Sequence, residues 1–107
     1  MNARVNKLAQ LANKSAIIRI LKAEGYTLAK NDKRYGNLNV QTIFRATESA
    51  SEWYEDAAHR KDYKCSMYEN VPGTEPGTRF VVLLINDIDH KRQLTLPREM
   101  IFFVKSN

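Results

Sequence analysis

Apolar residues are dense over positions 3–24, but they do not keep a single helical phase. At roughly 100° per residue, two groups occupy helix faces rotated by roughly 130° from each other: Val5, Leu8, Leu11 and Ala12, and then Ala16, Ile17, Ile20 and Leu21. A break at residues 13–15, with Ser15 as the N-cap of a new helix, reconciles the two phases. We therefore predict two short helices, about 3–12 and 15–24, with one long curved helix as the alternative.

The next segment has the pattern of two strands joined by a polar turn. Gly25 is suited to the positive φ that commonly ends a helix, and the segment "YTLAK" follows it. After the turn-rich "NDKRYGN", the segment "LNVQTIFR" alternates Leu38, Val40 and Phe44 with polar residues. Such alternation is typical of a half-buried antiparallel strand. We predict a β-hairpin with a basic tip.

The segment "TESASEWYEDAAHRKDY" predicts a further helix. Ser49 and Glu52 have the spacing of a capping box, and acidic residues fill the first turns. Arg60 and Lys61 close the last turn, where positive charge complements the helix dipole.

The remaining sequence is rich in strand patterns. "KCSMYENV" and "RFVVLLIN" flank the loop "PGTEPGT", and the second is apolar at nearly every position, as expected of a central strand covered on both faces. "RQLTLP" and "MIFFVKS" predict two further strands, with Pro97 at their boundary. We expect an α+β fold: a mostly antiparallel sheet of about five or six strands, with two or three helices packed on one face. Residues 1–107 are expected to form a single compact domain, with a basic helical and hairpin half (1–45) and a helix plus β-rich half (46–107).

Positive charge is concentrated in the first part of the chain. The 107 residues carry a formal net charge of +5. Residues 1–45 hold nine Lys or Arg against two acidic residues, whereas residues 46–107 hold eight against ten. Such a field attracts nucleic acid or an acidic protein surface and accelerates encounter with either.

The basic half supplies the candidate nucleic-acid-binding residues, seven cations and one aromatic ring: Lys14, Arg19, Lys22, Lys30, Lys33, Arg34, Tyr35 and Arg45. Phosphate contacts need exposed cations, and the ring of Tyr35 is a candidate for stacking on an unpaired base. The competing interpretation is that these are the ordinary solvated side chains of a protein surface.

Two helices followed by a hairpin form the layout of a winged helix-turn-helix, in which a basic wing contacts phosphates. "LAQLANKSAIIRILKAEGY" resembles a helix-turn-helix of the repressor kind, although Asn13 stands where that pattern has glycine. "LKAEGYTL" with the hairpin is similar to the amino-terminal part of the eighth small-subunit ribosomal protein, an RNA binder. These likenesses imply nucleic-acid binding, but they cover only part of the chain and assign it to no family.

Fewer residues support a catalytic function than support nucleic-acid binding. In "NDIDHK", Asp87 and Asp89 have a spacing that suits Mg²⁺, as in nucleases, but these are also ordinary turn residues. Cys65 with His59 or His90 is a thiolate–imidazole candidate, although a lone strand cysteine is far more often a small buried apolar residue. We therefore expect no enzyme activity, no small-molecule substrate, no cofactor and no metal site.

The sequence leaves two functional hypotheses open. No apolar run is long enough to span a bilayer, no secretory signal is recognisable and the single cysteine cannot form an internal disulfide, so we expect a cytoplasmic protein that binds no membrane. The first hypothesis is a small, non-enzymatic nucleic-acid-binding module, for DNA or RNA, that uses the basic half. The alternative is a compact protein-binding inhibitor or adaptor, of the kind that bacteriophages encode against a host defence or transcription complex. Its candidate surface is the same basic patch or the segment 68–78.

Overall fold

The computed structural model describes residues 13–56, 61–89, 91–92 and 94–106. Its elements in chain order are helix α1 (Lys14–Ala23), strand β1 (Thr27–Leu28), a 3₁₀ helix (Ala29–Asn31), helix α2 (Val40–Arg45), and strands β2 (Glu48–Asp56), β3 (Lys61–Glu69), β4 (Arg79–Asp89) and β5 (Leu94–Lys105). The strands form one sheet in the order β1–β5–β4–β3–β2, and every neighbouring pair is antiparallel. The sheet and the broad α+β class are as expected, and the helix predicted at 3–12 lies outside the described residues. Within the described ranges, no helix has the length and apolar character needed to cross a membrane.

One face of the sheet is covered by α1. Val81, Leu83 and Ile85 of β4 pack in an apolar cluster with Ile17 and Leu21 of that helix. Ile17, Leu83 and Ile85 are completely buried. Because β4 lies in the middle of the sheet, this cluster places α1 over the centre of that face.

The opposite face is covered by a different part of the chain. Phe80 and Val82, which alternate with the first set along β4, pack with Ile43 of α2 and Ala29 of the 3₁₀ helix. Successive strand residues point to opposite faces, so α1 and α2 lie on opposite sides of the sheet. The prediction of a central strand covered on both faces is confirmed, and the expected packing of the helices on one face is wrong. A strand that is apolar at nearly every position requires cover on both sides.

Helix α1 begins at a different residue from the one predicted. The side chain of Asn13 accepts a hydrogen bond from the Ala16 amide at 2.9 Å, so Asn13 is the N-cap and Ser15 lies inside the helix. The helix ends just before Gly25, which has a φ of 99°, as the sequence predicts. The N–H groups of Gly25 and Tyr26 donate to two of the last helix carbonyls, which is the Schellman arrangement.

The predicted hairpin over residues 26–45 is wrong. Strand β1 pairs with Val104 and Phe103 of β5, and the chain then turns into the 3₁₀ helix instead of forming a second strand. The Asp32 carboxylate accepts hydrogen bonds from the amides of Arg34 (2.8 Å) and Tyr35 (3.2 Å), which fixes a tight turn. Because Tyr35 is buried in the second cluster, the turn is held against the sheet.

The segment 40–45, predicted to be the return strand, is helix α2. Asn39 caps it by accepting a hydrogen bond from the Gln41 amide at 2.8 Å. Val40, Ile43 and Phe44 have the i, i+3, i+4 spacing of one helix face. Val40 alternates with polar neighbours, which also fits a strand. Because the helix is only six residues long, its helical period is too short to be distinguished from that alternation.

The helix predicted from residue 47 to residue 63 is also wrong, because residues 48–56 form β2 and residues 61–63 begin β3. Residues 57–60 of that prediction lie outside the described residues. The Ser49 hydroxyl donates a hydrogen bond to the Met67 carbonyl of β3 at 3.1 Å and does not cap a helix. Tyr54 lies opposite Tyr63, and both are buried in the cluster that α1 covers. A helix cap contributes about 1 kcal/mol, whereas each aromatic ring buries roughly 150–250 Å², so the cross-strand pair outweighs the capping signal.

Strand β5 is continuous through Pro97, where two separate strands were predicted. Its register against β4 shifts between Ile85 and Asn86, which pair with Glu99 and Pro97 respectively. Arg98 is therefore the extra residue of a bulge. Proline is tolerated there because no described strand pairs with its outer side.

The cap assignment gives a direct stability test. We expect Asn13→Ala to lower the free energy of unfolding by about 0.5–2 kcal/mol, because the Ala16 amide loses its acceptor. The matched control Ser15→Ala changes it by less than about 0.5 kcal/mol. Urea unfolding of both variants checks this, and a larger loss for Ser15→Ala would contradict the assignment.

Candidate functional site

A groove lies where β1 stops and β5 continues. Strand β1 pairs only with residues 103 and 104, and no described residue pairs with the outer edge of β5 at residues 100–102. This edge lies in a groove of about 480 Å³. We call it the β5 groove. Its walls are α1 on one side and residues 28–43 on the other.

The β5 groove has apolar walls and basic residues. Ile18 of α1 and Leu38 and Val40 before and within α2 line it, together with Lys22 and Lys30. Val40 is 41% exposed, although it is apolar.

An ion pair joins α1 to the floor of the β5 groove. The Lys14 ammonium lies 2.9 Å from both carboxylate oxygens of Glu99. The two side chains are each about two-fifths exposed, so the pair connects helix to strand in contact with solvent. Lys14 therefore has its charge already neutralised.

A second, shallower depression of about 710 Å³ adjoins the β5 groove. It includes Lys33 and Arg34, and it shares Lys22 and Leu28 with the β5 groove. The chain thus brings lysines from α1, the 3₁₀ helix and the following turn onto one continuous surface. We call Lys22, Lys30 and Lys33 with Arg34 the cationic cluster.

The four members of the cationic cluster differ in how firmly they are held. Arg34 lies 3.8 Å from the Asp32 carboxylate and 5.0 Å from the Tyr35 ring centre, and it hydrogen-bonds to the Ser106 hydroxyl. Lys22, Lys30 and Lys33 are exposed. No carboxylate in the described part of the chain lies within 4.0 Å of their ammonium groups. These three lysines are available to an external anion.

Two residues predicted for the site lie elsewhere, and a third, Tyr35, lines the β5 groove but is buried. Arg19 and Arg45 are exposed but line neither depression. Tyr35 is only 6% exposed. Its ring centre lies 5.7 Å from that of Phe80 in an edge-to-face arrangement, and its hydroxyl accepts a hydrogen bond from the Glu75 amide. Its ring is therefore not presented to a base. The other five predicted residues, Lys14, Lys22, Lys30, Lys33 and Arg34, line the two depressions.

Sequence reasoning missed the open edge of β5 and its apolar walls. Pro97, Arg98 and Glu99 are residue types that natural sheets place on edge strands, so a signal for an edge was present. Placing that edge beside Val40 and Ile18 required knowledge of the tertiary fold.

The one exposed tryptophan among the described residues lies on the far edge of the sheet. Trp53 of β2 is 54% exposed, and the Lys64 ammonium is 5.3 Å from its ring centre. Glu52 and Glu55 flank it in β2. Their charge repels phosphates, so this ring is a poor stacking surface for nucleic acid.

The segment 68–78 is not a strand edge but mostly an exposed loop, with residues 70, 72–73 and 75–77 exposed. Tyr68, Val71 and Thr78 are all buried. Tyr68 lies in β3, which is paired on both sides with β2 and β4.

The catalytic candidates gain no geometric support from the described residues. Burial, with a smaller effect of the negative charge of Glu52, raises the pKa of the Cys65 thiol to about 12, which disfavours the reactive thiolate. The Asp87 carboxylate lies 3.8 Å from the Arg98 guanidinium. The described part of the chain contains no group of three or more His, Cys, Asp or Glu that could hold a metal ion. His59 and His90 lie outside the described residues.

No protein-family model, no curated protein sequence and no solved structure matches this chain.

The raised pKa of Cys65 predicts a slow thiol. At pH 8 we expect the folded protein to react with a disulfide reagent at least about tenfold more slowly than the protein unfolded in guanidinium, because the thiolate is the reacting species. A thiol that reacts at the same rate in both states would contradict the assigned environment.

Proposed function

We propose that this chain is a non-enzymatic nucleic-acid-binding module that contacts phosphates through the cationic cluster. The main support for this proposal is that Lys22, Lys30 and Lys33 are exposed and line two adjoining depressions. None of the three has a carboxylate partner among the described residues. Five of the eight residues predicted from the sequence support the same surface.

The physical basis is release of the counterions that surround a nucleic acid. A lysine that already pairs with a carboxylate gains little from a phosphate, whereas an unpaired one replaces a condensed counterion. On this ground Lys22, Lys30 and Lys33 are the main contacts. Arg34 is held by its own neighbours, and Lys14 by Glu99.

The mode of binding follows from which aromatic rings are exposed. Tyr26 and Tyr35, which line the two depressions, are 5% and 6% exposed. Base stacking on these tyrosines is therefore not part of the proposal. We expect contacts to the backbone, which carry no sequence information directly.

A second candidate is a protein-binding inhibitor or adaptor. The observation that favours it is the β5 groove itself, because apolar walls and an unpaired strand edge suit a polypeptide better than a phosphate backbone.

Charge reversal tests the nucleic-acid proposal. We expect Lys22→Glu with Lys33→Glu to reduce the slope of log affinity against log salt on duplex DNA by about 2, since each phosphate contact contributes about 0.9. Fluorescence anisotropy with labelled duplex and single-stranded DNA and RNA, at several salt concentrations, measures the slope.

The matched control carries the same change of net charge elsewhere. Arg19→Glu with Arg45→Glu is expected to leave the slope nearly unchanged, because these side chains line neither depression. Equal losses in both double variants would show a response to net charge alone. If the unmodified protein binds neither DNA nor RNA at low salt, the proposal is refuted.

A further inference from the structure

We propose that the β5 groove receives an extended acidic segment of a partner protein, which adds to the sheet as a strand beside residues 100–102. This proposal goes beyond nucleic-acid binding and does not depend on it. The two share Lys22 and Lys30 but differ in their other contacts.

Residues 100–102 of β5 continue the line along which β1 pairs, and no described strand pairs with their outer side. Leu28 of β1 pairs with Phe103, and the chain then leaves the line of the strand as the 3₁₀ helix. A strand placed on that line lies about 4.8 Å from its neighbour and passes residues 100–102 over roughly 10 Å. The incoming backbone would occupy the path that β1 abandons.

The part of this edge that immediately precedes the groove, residues 97–99, is protected against strand addition. Pro97 lacks an amide hydrogen, Arg98 forms the bulge, and Arg98 and Glu99 are charged. Natural sheets use these features to prevent unwanted pairing at edges. None of them is present at residues 100–102, so the edge is open where the groove has walls.

The walls provide contacts for alternate side chains of the added strand. Successive residues of a strand point to opposite sides. One set would meet Ile18 on α1, and the other would meet Leu38 and Val40. Val40 and Met100 are 41% and 39% exposed, so an apolar ligand side chain removes their surface from water.

The charges that line the β5 groove indicate which kind of peptide segment it binds. Lys22 and Lys30 line the groove without a carboxylate partner among the described residues, while Glu99, the groove's one acidic lining residue, is neutralised by Lys14. The groove therefore attracts acidic residues and repels basic ones.

The test uses short fluorescein-labelled peptides and the full chain. A peptide of alternating glutamate and valine is the ligand probe. One control carries N-methyl groups on alternate valines, which removes backbone donors, and another replaces glutamate by lysine. We expect the acidic peptide to bind, the N-methylated peptide to bind at least about tenfold more weakly, and the lysine peptide not to bind.

A matched pair of protein variants localises the binding. Val40→Asp places a negative charge in the groove, and we expect this variant to bind the acidic peptide at least about tenfold more weakly. Gln41→Asp adds the same charge at the next exposed residue, which does not line the groove, and is expected to bind normally. Both substitutions are at exposed positions in the first turn of α2, where aspartate is favourable, and circular dichroism checks the fold.

Several results would overturn the proposal. These are no binding of the acidic peptide at millimolar concentration, undiminished binding of the N-methylated peptide, or equal effects of Val40→Asp and Gln41→Asp. Self-association of the chain that Val40→Asp abolishes would identify a second copy as the occupant and refute the assigned partner. Loss of DNA binding in Lys22→Glu with Lys33→Glu, but not in Val40→Asp, separates this site from the proposed phosphate contacts.

Discussion

Residues 80–85 of β4 are apolar on both faces of the sheet. The arrangement of the other elements follows from the need to cover both faces. Alternate residues of β4 enter two apolar clusters, one covered by α1 and the other by residues that include Ala29, Tyr35 and Ile43. Both covers come from the segment that precedes β2. The chain must therefore pass from one face of the sheet to the other around the edge at β5.

That crossing explains why binding features concentrate at one place. A longer β1 would keep the chain in the plane of the sheet, so β1 ends at Leu28 and the 3₁₀ helix begins. The outer edge of β5 is left unpaired by the described residues, and the polar turn lies beside it. Lys22 precedes the crossing, and Lys30 and Lys33 lie on it. The β5 groove and the cationic cluster have the same structural origin.

Local sequence signals predicted those parts of the fold that local chemistry decides. The apolar run of β4 predicted a central strand, Gly25 predicted the end of α1, and five of the cations were found at one surface. The signals failed where a distant contact decided the outcome. The spacing of Ser49 indicated a helix, but pairing with β3 made a strand. Tyr35 looked like an exposed turn residue, but packing against Phe80 buried it.

The chain crosses from one face of the sheet to the other at β5 and leaves the outer edge of residues 100–102 unpaired by the described residues. Amide hydrogen exchange of the free protein, followed by NMR, tests this arrangement most directly. In an antiparallel strand, the amides that point away from β4 alternate with those that bond to it. We expect an outward amide within residues 100–102 to exchange at least about a hundredfold faster than those of Val81 and Leu83. Uniform protection across residues 100–102, equal to that of β4, would show that this edge is covered and would refute the open edge.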